Sequence, residues 1–559
     1  MEEHKSSDKP GLVKCTGQGF SILNTIEYKG RFLYSKYNPL KPIYSLIDSI
    51  NILSGTLVVI CSPGLWYGMD ELLKKLPADC KCICIEVDKG LYELSLKNKI
   101  SIDYESDFFC LTGQKDYLIL DEKIRALCSE GKIRRAVRID FCSGTRLYEE
   151  KYSQLMFGIT GIIEGYWKNR VTLVKMGKLF SRNIIRNLKK FSCGINLHEM
   201  EKTISKPILV CGAGESLDEF LLQKTFSPEN YYIVAVDAAI LALLKRKIIP
   251  DAAVGVESQF AIQKAYIGTA GKIPVLFADL NSRAEIPELT CAKTIWFCSE
   301  SSDSLFLQRL KKTGLIKEMI PAMGSVGLVA VYIACKIRSD ENIPVIVSGL
   351  DFCFSAGLTH AKGTPASTQR LSESNRFESA ENYGAAFSYS AEKCSDKSGN
   401  QVYSTPALES YANQFKIHFS GEKNIFSFGT KGLDLNLQNL DEKTLSNLTK
   451  YFSDRKQSNT ETDSVFIQKK ANKKNTEKLY SEEIKNLQTI RDLLKNGNNS
   501  VCRIEGISLD EQLDSLLMQS DYLWRHFPDG NFFRHETGFL KRIRAEIPYF
   551  LKQFSIAQK

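Results

Sequence analysis

The sequence lacks the motifs by which several large enzyme classes are recognised. It has no Gly-x-x-x-x-Gly-Lys-Ser/Thr phosphate loop, no His-Glu-x-x-His, no Cys-x-x-Cys and no Gly-x-Ser-x-Gly elbow. These absences argue against a P-loop nucleotide hydrolase, a zinc site and an α/β-hydrolase triad. Histidine is scarce, with six residues in 559, so any histidine chemistry rests on few candidates.

Long apolar runs and a strong charge of one sign are also missing. No uninterrupted run of about 18 apolar residues occurs, so we expect no stable membrane insertion. Residues 1–6 (MEEHKS) lack the apolar core of a signal peptide. The net charge of +9 is modest for this length and gives no reason to expect a nucleic-acid partner. The 16 cysteines lie mostly in apolar runs, which predicts buried thiols and a cytoplasmic protein.

The residues that are present indicate a multidomain globular protein, since 43% are hydrophobic and 559 residues suffice for three or four domains. We predict an N-terminal α/β domain over 1–200 and a central domain over 201–450. A charged linker over 451–478 and a C-terminal helical bundle over 479–559 complete the chain. Strand and helix signals alternate in the central domain, which favours a parallel sheet with helices on both faces.

The N-terminal domain has the outline of a nucleotide-binding βαβ unit but not its glycine fingerprint. Residues 56–61 (TLVVIC) read as a buried strand, and a second strand ends in Glu86, where a carboxylate can hold a ribose. The turn between them, SPGLWYG at 62–68, does not match Gly-x-Gly-x-x-Gly. Both a structural module and a nucleotide site remain open here.

The central domain opens on the segment PILVCGAGESL at residues 207–217. Its apolar run suits a buried parallel strand, and Gly212 and Gly214 allow a tight turn that a ligand can approach closely. Ser216 suits the start of a helix, whose N-terminus attracts phosphate. A lone Gly-x-Gly is weak evidence, because such a joint can equally bind nothing.

Several later strand-like runs of this domain end in an acidic residue, namely Asp237, Glu257, Asp279 and Asp351. Parallel strands bring their carboxyl ends to one edge, where ligands bind in open α/β sheets. The four side chains could therefore share one crevice with the glycine turn. The alternative is that each only caps a helix or occupies a solvated turn.

The polar stretch after Asp351 predicts a lid over about 352–402, because loops of that length in compact domains are usually lids or disordered inserts. His360 lies near its start, just beyond the predicted sheet edge. A histidine in this position could act as a general acid or base near neutral pH. The alternative is a surface histidine without a role.

These landmarks together resemble the motility-associated factor (Maf) glycosyltransferases, which share a domain with the MptE-type 6-hydroxymethylpterin diphosphokinases. The matching segments, in the family's order, are GAGESL at 212–217, AVDAA at 235–239, IPD at 249–251, GSV at 324–326, GLD at 349–351 and THAKG at 359–363. The domain also looks distantly like the bacterial CMP-sialic acid sialyltransferases. The resemblance thus implies an α/β fold with a central Rossmann-like, sialyltransferase-like parallel sheet.

The resemblance implies transfer of a nonulosonic acid of the sialic, pseudaminic or legionaminic type from a CMP donor to Ser or Thr of flagellin. That activity would be needed for flagellar assembly and motility. The CMP-activated sugar is the donor substrate, so no separate cofactor and no metal are implied. Two alternatives stay open: a pterin-type diphosphokinase that uses ATP and Mg²⁺, and a non-catalytic assembly factor that binds flagellin.

The resemblance also assigns roles by position. The CMP phosphate would be cradled by Gly212, Gly214 and Ser216, and the cytidine or the sugar would be faced by Asp237 and Glu257. A second anion-binding helix would open at Gly324 and Ser325, and the catalytic residues would be His360 and Asp351. The family usually has Pro where this chain has Glu215, a carboxylate that would repel a donor phosphate unless it points outward.

Overall fold

The computed structural model describes residues 9–17, 19, 22–98, 107–131, 133–300, 304–379, 390–453, 466–496, 509–528 and 536–559. Contacts divide the chain into a first unit, Met1–Met176 with Trp524–Phe533, and a second unit, Gly177–Leu523 with Arg534–Lys559. Among the helices of the described residues, none combines the length and the apolar character that a membrane span requires.

The elements of the first unit begin with a small antiparallel sheet and continue as an α/β layer. Its strands are β1 (Gly11–Lys14), β2 (Asn24–Tyr28), β3 (Arg31–Phe32), β4 (Thr56–Cys61), β5 (Lys81–Glu86), β6 (Asp107–Cys110) and β7 (Arg135–Asp140). Its helices are α1 (Lys41–Ser49), α2 (Met69–Lys75), α3 (Lys89–Lys97) and α4 (Gln114–Ser129). The long helix α5 (Glu149–Cys193) begins in the first unit and ends in the second.

The main sheet of the first unit is parallel, with strand order β6-β5-β4-β7. The central strand β4 is buried at every position, and its side chains alternate between the two faces. Val58 and Ile60 belong to the apolar core on one face, and Leu57, Val59 and Cys61 belong to the core on the other. A continuous apolar run is the expected sequence of a parallel strand covered on both faces.

The second unit contains the large sheet and the C-terminal helices. Its strands are β8 (Ile195–Asn196), β9 (Ile208–Cys211), β10 (Tyr232–Val236), β11 (Ala252–Gly255), β12 (Val275–Asp279), β13 (Lys293–Phe297), β14 (Val345–Ser348), β15 (Glu392–Ser395), β16 (Gln401–Ser404), β17 (Ile425–Phe428) and β18 (Gln438–Leu440). Its helices are α6 (Ser216–Leu221), α7 (Ile240–Lys245), α8 (Gln263–Tyr266), α9 (Ile286–Thr290), α10 (Leu305–Lys312), α11 (Val326–Ile337), α12 (Pro365–Glu373), α13 (Pro406–His418), α14 (Glu442–Ser453), α15 (Phe466–Asn496), α16 (Leu509–Gln519) and α17 (Thr537–Gln558).

The large sheet has nine parallel strands in the order β18-β17-β14-β9-β10-β11-β12-β13-β8. The chain runs from β9 outward to β13 and then returns to β14 on the other side of β9. Cys211 at the end of β9 therefore pairs with Ala235 of β10 and with Ser348 of β14. A reversal of this kind opens a crevice beyond the carboxyl ends of the two strands involved, here β9 and β14.

The predicted α/β fold with a central parallel sheet is confirmed, but the predicted boundaries differ from the elements observed. The division between the units falls after Met176, within α5, rather than near residue 200. The linker predicted over 451–478 is helical at both of its described ends, because α14 ends at Ser453 and α15 begins at Phe466. Residues 454–465 of that prediction lie outside the described residues.

The C-terminal helices are anchored by buried polar contacts within the second unit. The hydroxyl of Tyr480 on α15 donates to the carbonyl of Ile185 on α5 at 2.8 Å. Arg309 on α10 lies 2.5 Å from the carboxylate of Glu483 on α15, which also accepts a hydrogen bond from Tyr522 at 2.7 Å. These contacts fix the middle of α15 against α5, α10 and the turn that contains Tyr522.

Candidate active site

The glycine turn after β9 is held against the end of β14 by backbone contacts. The N–H of Gly212 donates to the carbonyl of Ser348 at 2.7 Å, and the N–H of Gly214 donates to the carbonyl of Gly349 at 2.8 Å. A Cβ atom at position 212 would overlap the Gly349 carbonyl. The predicted phosphate cradle therefore needs correction, because these two N–H groups are already bonded. The glycines permit the close approach of two strand ends instead.

The carboxylate of Asp351 occupies the start of helix α6. It accepts the backbone N–H of Ser216 at 2.9 Å and also the Ser216 hydroxyl. The N–H of Gly349 donates to the same hydroxyl oxygen at 2.7 Å. Burial raises the pKa of Asp351 to about 6, although its bonds from Ser216 favour the charged form. Asp351 thus takes the place at the helix start that the sequence assigned to a phosphate, and its bonds to Ser216 hold the turn in position.

Glu215, the residue at which this chain departs from the family pattern, points away from the turn. One carboxylate oxygen accepts the backbone N–H of Ser355 at 2.7 Å, and the other lies 3.4 Å from the ammonium of Lys431. The Glu215 side chain is mostly buried by these partners, with 11% of its surface exposed. These two partners hold the Glu215 carboxylate in place, and the Lys431 ammonium lies beside its negative charge.

The histidine loop, residues 359–363, lies directly on the glycine turn. The backbone N–H of Ala361 donates to the carbonyl of Ala213 at 2.8 Å. The side chain of Ala361 is fully buried, so the loop is packed against the turn. The structure therefore brings together the two segments that the sequence placed at one sheet edge.

An ion pair fixes the far side of the histidine loop. Asp218 on α6 accepts the backbone N–H of Lys362 at 2.9 Å and pairs with Arg246 at 2.5 Å. Arg246 also donates to the carbonyl of Lys362 at 2.8 Å. The loop is thus bonded to both α6 and the end of α7, and its position is set by the sheet.

His360 combines partial burial with a defined orientation. Its Nδ1 lies 3.0 Å from the hydroxyl oxygen of Thr359. Burial lowers the pKa of His360 below its ordinary value of 6.5. The imidazole is therefore neutral at neutral pH and able to accept a proton, as a general base must.

The start of helix α11 also borders the glycine turn. Ser325 caps this helix and accepts the N–H of Gly327 at 3.2 Å, and the N–H of Gly324 donates to Gln414 at 3.1 Å. The side chain of Leu350 contacts both Gly327 and Gly212 so closely that neither position has room for a Cβ. The start of α11 therefore lies beside the glycine turn, and its role as a second anion-binding helix stays a prediction.

Asp237 and Glu257 form a separate pair at the ends of β10 and β11. Asp237 is buried and accepts the N–H of Ala238 at 2.7 Å; burial, with a smaller contribution from Glu257, raises its pKa to about 7. Glu257 accepts two backbone N–H groups of the loop that follows it, at 2.8 and 3.0 Å. No hydrogen bond in the described part of the chain joins this pair to the glycine turn.

Asp279 lies farther along the same edge and is bonded within its own strand pair. It accepts the N–H of Ser299 at 3.2 Å and the N–H of Asn281 at 3.0 Å. Burial raises its pKa to about 6. The four acidic strand ends therefore occupy one sheet edge, but they do not converge on one point.

The segment predicted as a lid has more regular structure than expected. Between residues 352 and 402 it contains α12 and most of the β15–β16 hairpin, and residues 380–389 lie outside the described part. The N–H and carbonyl groups of Phe354 exchange hydrogen bonds with those of Tyr403, both at 2.9 Å. The two ends of the segment are therefore tied to each other at the sheet edge.

Two asparagines on α5 contribute to this edge and were not predicted. Asn183 and Asn187 are fully buried one helical turn apart. Each side-chain amide donates to two backbone carbonyls of the loops after β11 and β12, at 2.8–3.2 Å. Paired asparagines on an apolar helix face are the signal that could have indicated such a role, since a buried amide needs partners.

Comparison with known families supports the assignment of the central sheet. The family model described as 6-hydroxymethylpterin diphosphokinase MptE-like matches residues 182–357, which include the glycine turn and Asp351. The chain carries an MptE-like domain. His360 follows the matched part of the MptE-like domain by three residues.

Two full-length comparisons extend beyond the MptE-like domain. The structure of a MAf glycosyltransferase from Magnetospirillum magneticum AMB-1 is similar over 99% of this chain and 92% of that chain, with a TM-score of 0.51 and 13% identity. An uncharacterized protein of Treponema pallidum (strain Nichols) is 28% identical over 570 residues, which is 98% of this chain and 95% of the relative. The resemblance to the Maf and MptE-like proteins is confirmed, and the structural likeness shows a shared fold.

Proposed function

We propose that this protein is a glycosyltransferase that moves a nonulosonic acid from a CMP donor to Ser or Thr of flagellin. The fold shared with a MAf glycosyltransferase and the MptE-like domain support the proposal. The observation that carries it is the contact between the histidine loop and the glycine turn, through Ala361 and Ala213 at 2.8 Å. This contact joins the loop that carries His360 to the turn after β9, and open α/β sheets bind nucleotides beyond such strand ends.

In the proposed reaction His360 accepts the proton of the acceptor hydroxyl as that oxygen attacks the anomeric carbon of the sugar. The bond from the anomeric carbon to the CMP phosphate breaks, and CMP leaves with the electron pair. Such a step passes through a cation-like sugar, so donor positioning and a base for the acceptor supply most of the catalysis. Asp351 acts as a positioning residue, because its carboxylate is bonded to Ser216.

The phosphate is assigned to the start of α11 in this proposal. The glycine turn has no free N–H at Gly212 or Gly214, whereas α11 is a helix of 12 residues that begins beside the turn. The N-terminus of a helix attracts anions through its N–H groups and its dipole. Ser325, at the start of α11, would therefore approach the donor phosphate, whereas the N–H of the neighbouring Gly324 is already bonded to Gln414. Asp237 and Glu257 would face the nucleoside.

The description of the matching family model favours a second candidate, a pterin-type diphosphokinase that uses ATP and Mg²⁺. Phosphoryl transfer of that kind would need a carboxylate for the metal, and Asp237, Asp251 or Asp351 would hold it. Asp351 is bonded to Ser216, and Asp251 accepts the N–H of Ile233 at 2.7 Å. Metal binding would have to compete with these contacts.

The proposal is tested by intact-mass analysis of flagellin incubated with the full-length chain and a CMP-activated nonulosonic acid, with and without EDTA. We expect a mass increase of at least one sugar residue that persists in EDTA. Transfer of diphosphate from ATP to a pterin alcohol, abolished by EDTA, would support the kinase instead. Unmodified flagellin that still binds the chain would indicate an assembly factor and contradict the transferase.

A further inference from the structure

A cleft of about 250 Å³ opens beside Asp351, away from the histidine loop. Its walls come from the carboxyl ends of β14 and β17, the turn of the β15–β16 hairpin and the loop 431–439. Ser216 and Asp351 line it, so it borders the proposed transfer site across that hydrogen-bonded pair. Among the site residues predicted from the sequence, Ser216 and Asp351 are the two that line this cleft.

Lys397 brings a positive charge into this cleft and bonds directly only to neutral groups, although Asp351 and Asp434 are near enough to raise its pKa. Its ammonium donates to the carbonyl of Phe428 at 3.1 Å and to Oδ1 of Asn439 at 3.0 Å, both neutral groups. Within the described residues it has no ion pair at or below 4.0 Å. Burial lowers the pKa of Lys397 by more than the surrounding carboxyl groups raise it. A partly buried cation with a third donor still available is a site for an anionic ligand.

The rest of the cleft offers hydrogen-bond acceptors and an apolar surface. Asp434, whose Oδ1 accepts one backbone N–H at 2.9 Å, provides a carboxylate, and Ser398 provides a hydroxyl oxygen. Leu433 and Leu435 give one wall an apolar surface. Lys431 lies at the rim, where it also pairs with Glu215 at 3.4 Å. A cation beside acceptors and an apolar wall suits a compact ligand that carries both a carboxylate and several hydroxyl groups.

We propose that this cleft binds an acidic sugar, with the sugar carboxylate on Lys397 and sugar hydroxyls on Asp434. The inference rests on the proposed function and adds a carbohydrate subsite to it. Its size, about 250 Å³, is sufficient for one sugar unit. The acidic sugar would come either from the CMP donor or from a sugar already attached to the acceptor.

The binding test is a calorimetric titration of the full-length chain with free N-acetylneuraminic acid and with its methyl ester. The ester removes the negative charge and keeps the ring. We expect the methyl ester to bind at least about tenfold more weakly, and Lys397→Met to weaken binding of the acid by the same factor, because a charge-assisted hydrogen bond is lost. Lys393→Met, an exposed lysine on the same hairpin, is the matched control and should bind as the wild type does.

Equal binding of the acid and the ester, or unchanged binding by folded Lys397→Met, would overturn the subsite. Thermal unfolding checks that Lys397→Met is folded. If it is not, binding of the acid by Lys431→Met tests the subsite instead. Lys431 has 39% of its side chain exposed, and its loss should weaken binding of the acid at least threefold. Unchanged binding by that variant would count against the cleft.

Transfer assays with the same variants identify the source of the sugar and separate the two proposals. A raised KM for the CMP donor in Lys397→Met indicates the donor sugar, whereas loss of addition to an already glycosylated acceptor indicates the attached sugar. If the wild type binds the acid through Lys397 but never modifies flagellin, the subsite stands and the proposed function fails. If transfer depends on His360 but neither binding nor transfer depends on Lys397, the subsite fails and the function stands.

Discussion

The two parallel sheets of this protein have the same reversal of strand order but different carboxyl edges. In the first unit the reversal lies at β4, and Ser62 donates to Glu86 at 2.7 Å while Tyr152 donates to the same carboxylate at 2.8 Å. None of these three side chains is more than 1% exposed. In the second unit the reversal lies at β9, where a similar pair, Ser216 and Asp351, borders a cleft and the histidine loop.

The difference shows that topology locates a possible site and side chains decide whether a ligand can use it. Glu86 stands where a Rossmann carboxylate would hold a ribose, but its oxygens accept Ser62, Tyr152 and two backbone N–H groups. Burial raises the pKa of Glu86. The arrangement favours a structural role for the carboxyl edge of the first unit's sheet. The large sheet of the second unit has the loop of the partly buried His360 bonded to its glycine turn.

Replacing His360 should have the largest effect, and it tests whether the carboxyl edge of the large sheet is catalytic. His360→Ala should lower kcat for sugar transfer about 10²–10⁴-fold, because a positioned general base contributes roughly that factor. CMP affinity should stay close to that of the wild type. Initial rates at saturating donor measure the effect, and His418→Ala, an exposed histidine at the end of α13, is the matched control. If the rate of His360→Ala is within twofold of the wild-type rate, His360 is not the general base.

A glycine-to-alanine substitution at the carboxyl edge of each parallel sheet compares the loss of stability caused by a backbone clash with that caused by a side-chain clash. Gly212→Ala should destabilise the protein by about 3–5 kcal/mol, because its Cβ meets the Gly349 carbonyl, which cannot move without shifting β14. Gly144→Ala places its Cβ against the hydroxyl of Ser62, which can rotate, so about 1–2 kcal/mol is expected. Urea unfolding measures both, and equal losses would contradict the contrast between the edges.

Asp237→Asn tests how strongly burial raises the pKa of a carboxyl group at the carboxyl edge of the large sheet. The pKa of Asp237 is about 7 in the folded state against an ordinary 3.8. Between these values the folded state keeps a proton that the unfolded state releases, so this carboxyl destabilises the fold increasingly as pH rises. The neutral variant should therefore gain about 2–4 kcal/mol over the wild type at pH 8 and nearly nothing at pH 4.

Urea unfolding at both pH values measures the Asp237→Asn effect, with exposed Asp492→Asn as the control. A gain that is the same at pH 4 and pH 8 would contradict the assigned direction of the shift.

Glu86→Gln is expected to have the smallest effect. It should cost about 1 kcal/mol of stability, because the amide nitrogen cannot accept the bonds that a carboxylate oxygen accepts. Transfer rate and CMP affinity should not change. A clear loss of CMP affinity in this variant would show that the nucleotide binds at the Ser62–Glu86 edge of the first unit and not at the large sheet.

The sequence predicts those parts of the molecule that depend on local pattern. Apolar runs and their acidic ends predict the parallel sheet, and the rule that ligands bind at strand carboxyl ends predicts that His360 and the glycine turn share an edge. It could not show that Gly349 bonds the turn or that Asp351 caps α6. Those contacts join strands that are neighbours only because the chain returns to β14 after β13. The roles of Asn183 and Asn187 could not be predicted for the same reason, because their hydrogen-bond partners lie in loops that are distant in the sequence.

The central claim is that the nucleotide binds at the carboxyl edge of the large sheet. Its most direct test is a crystal structure of the protein determined after the crystals have been soaked with CMP. We predict that the nucleotide binds beyond the ends of β9 and β14, with its phosphate near Ser325 and the histidine loop beside it. Nucleotide bound instead at the Ser62–Glu86 edge, or bound away from His360, would contradict it.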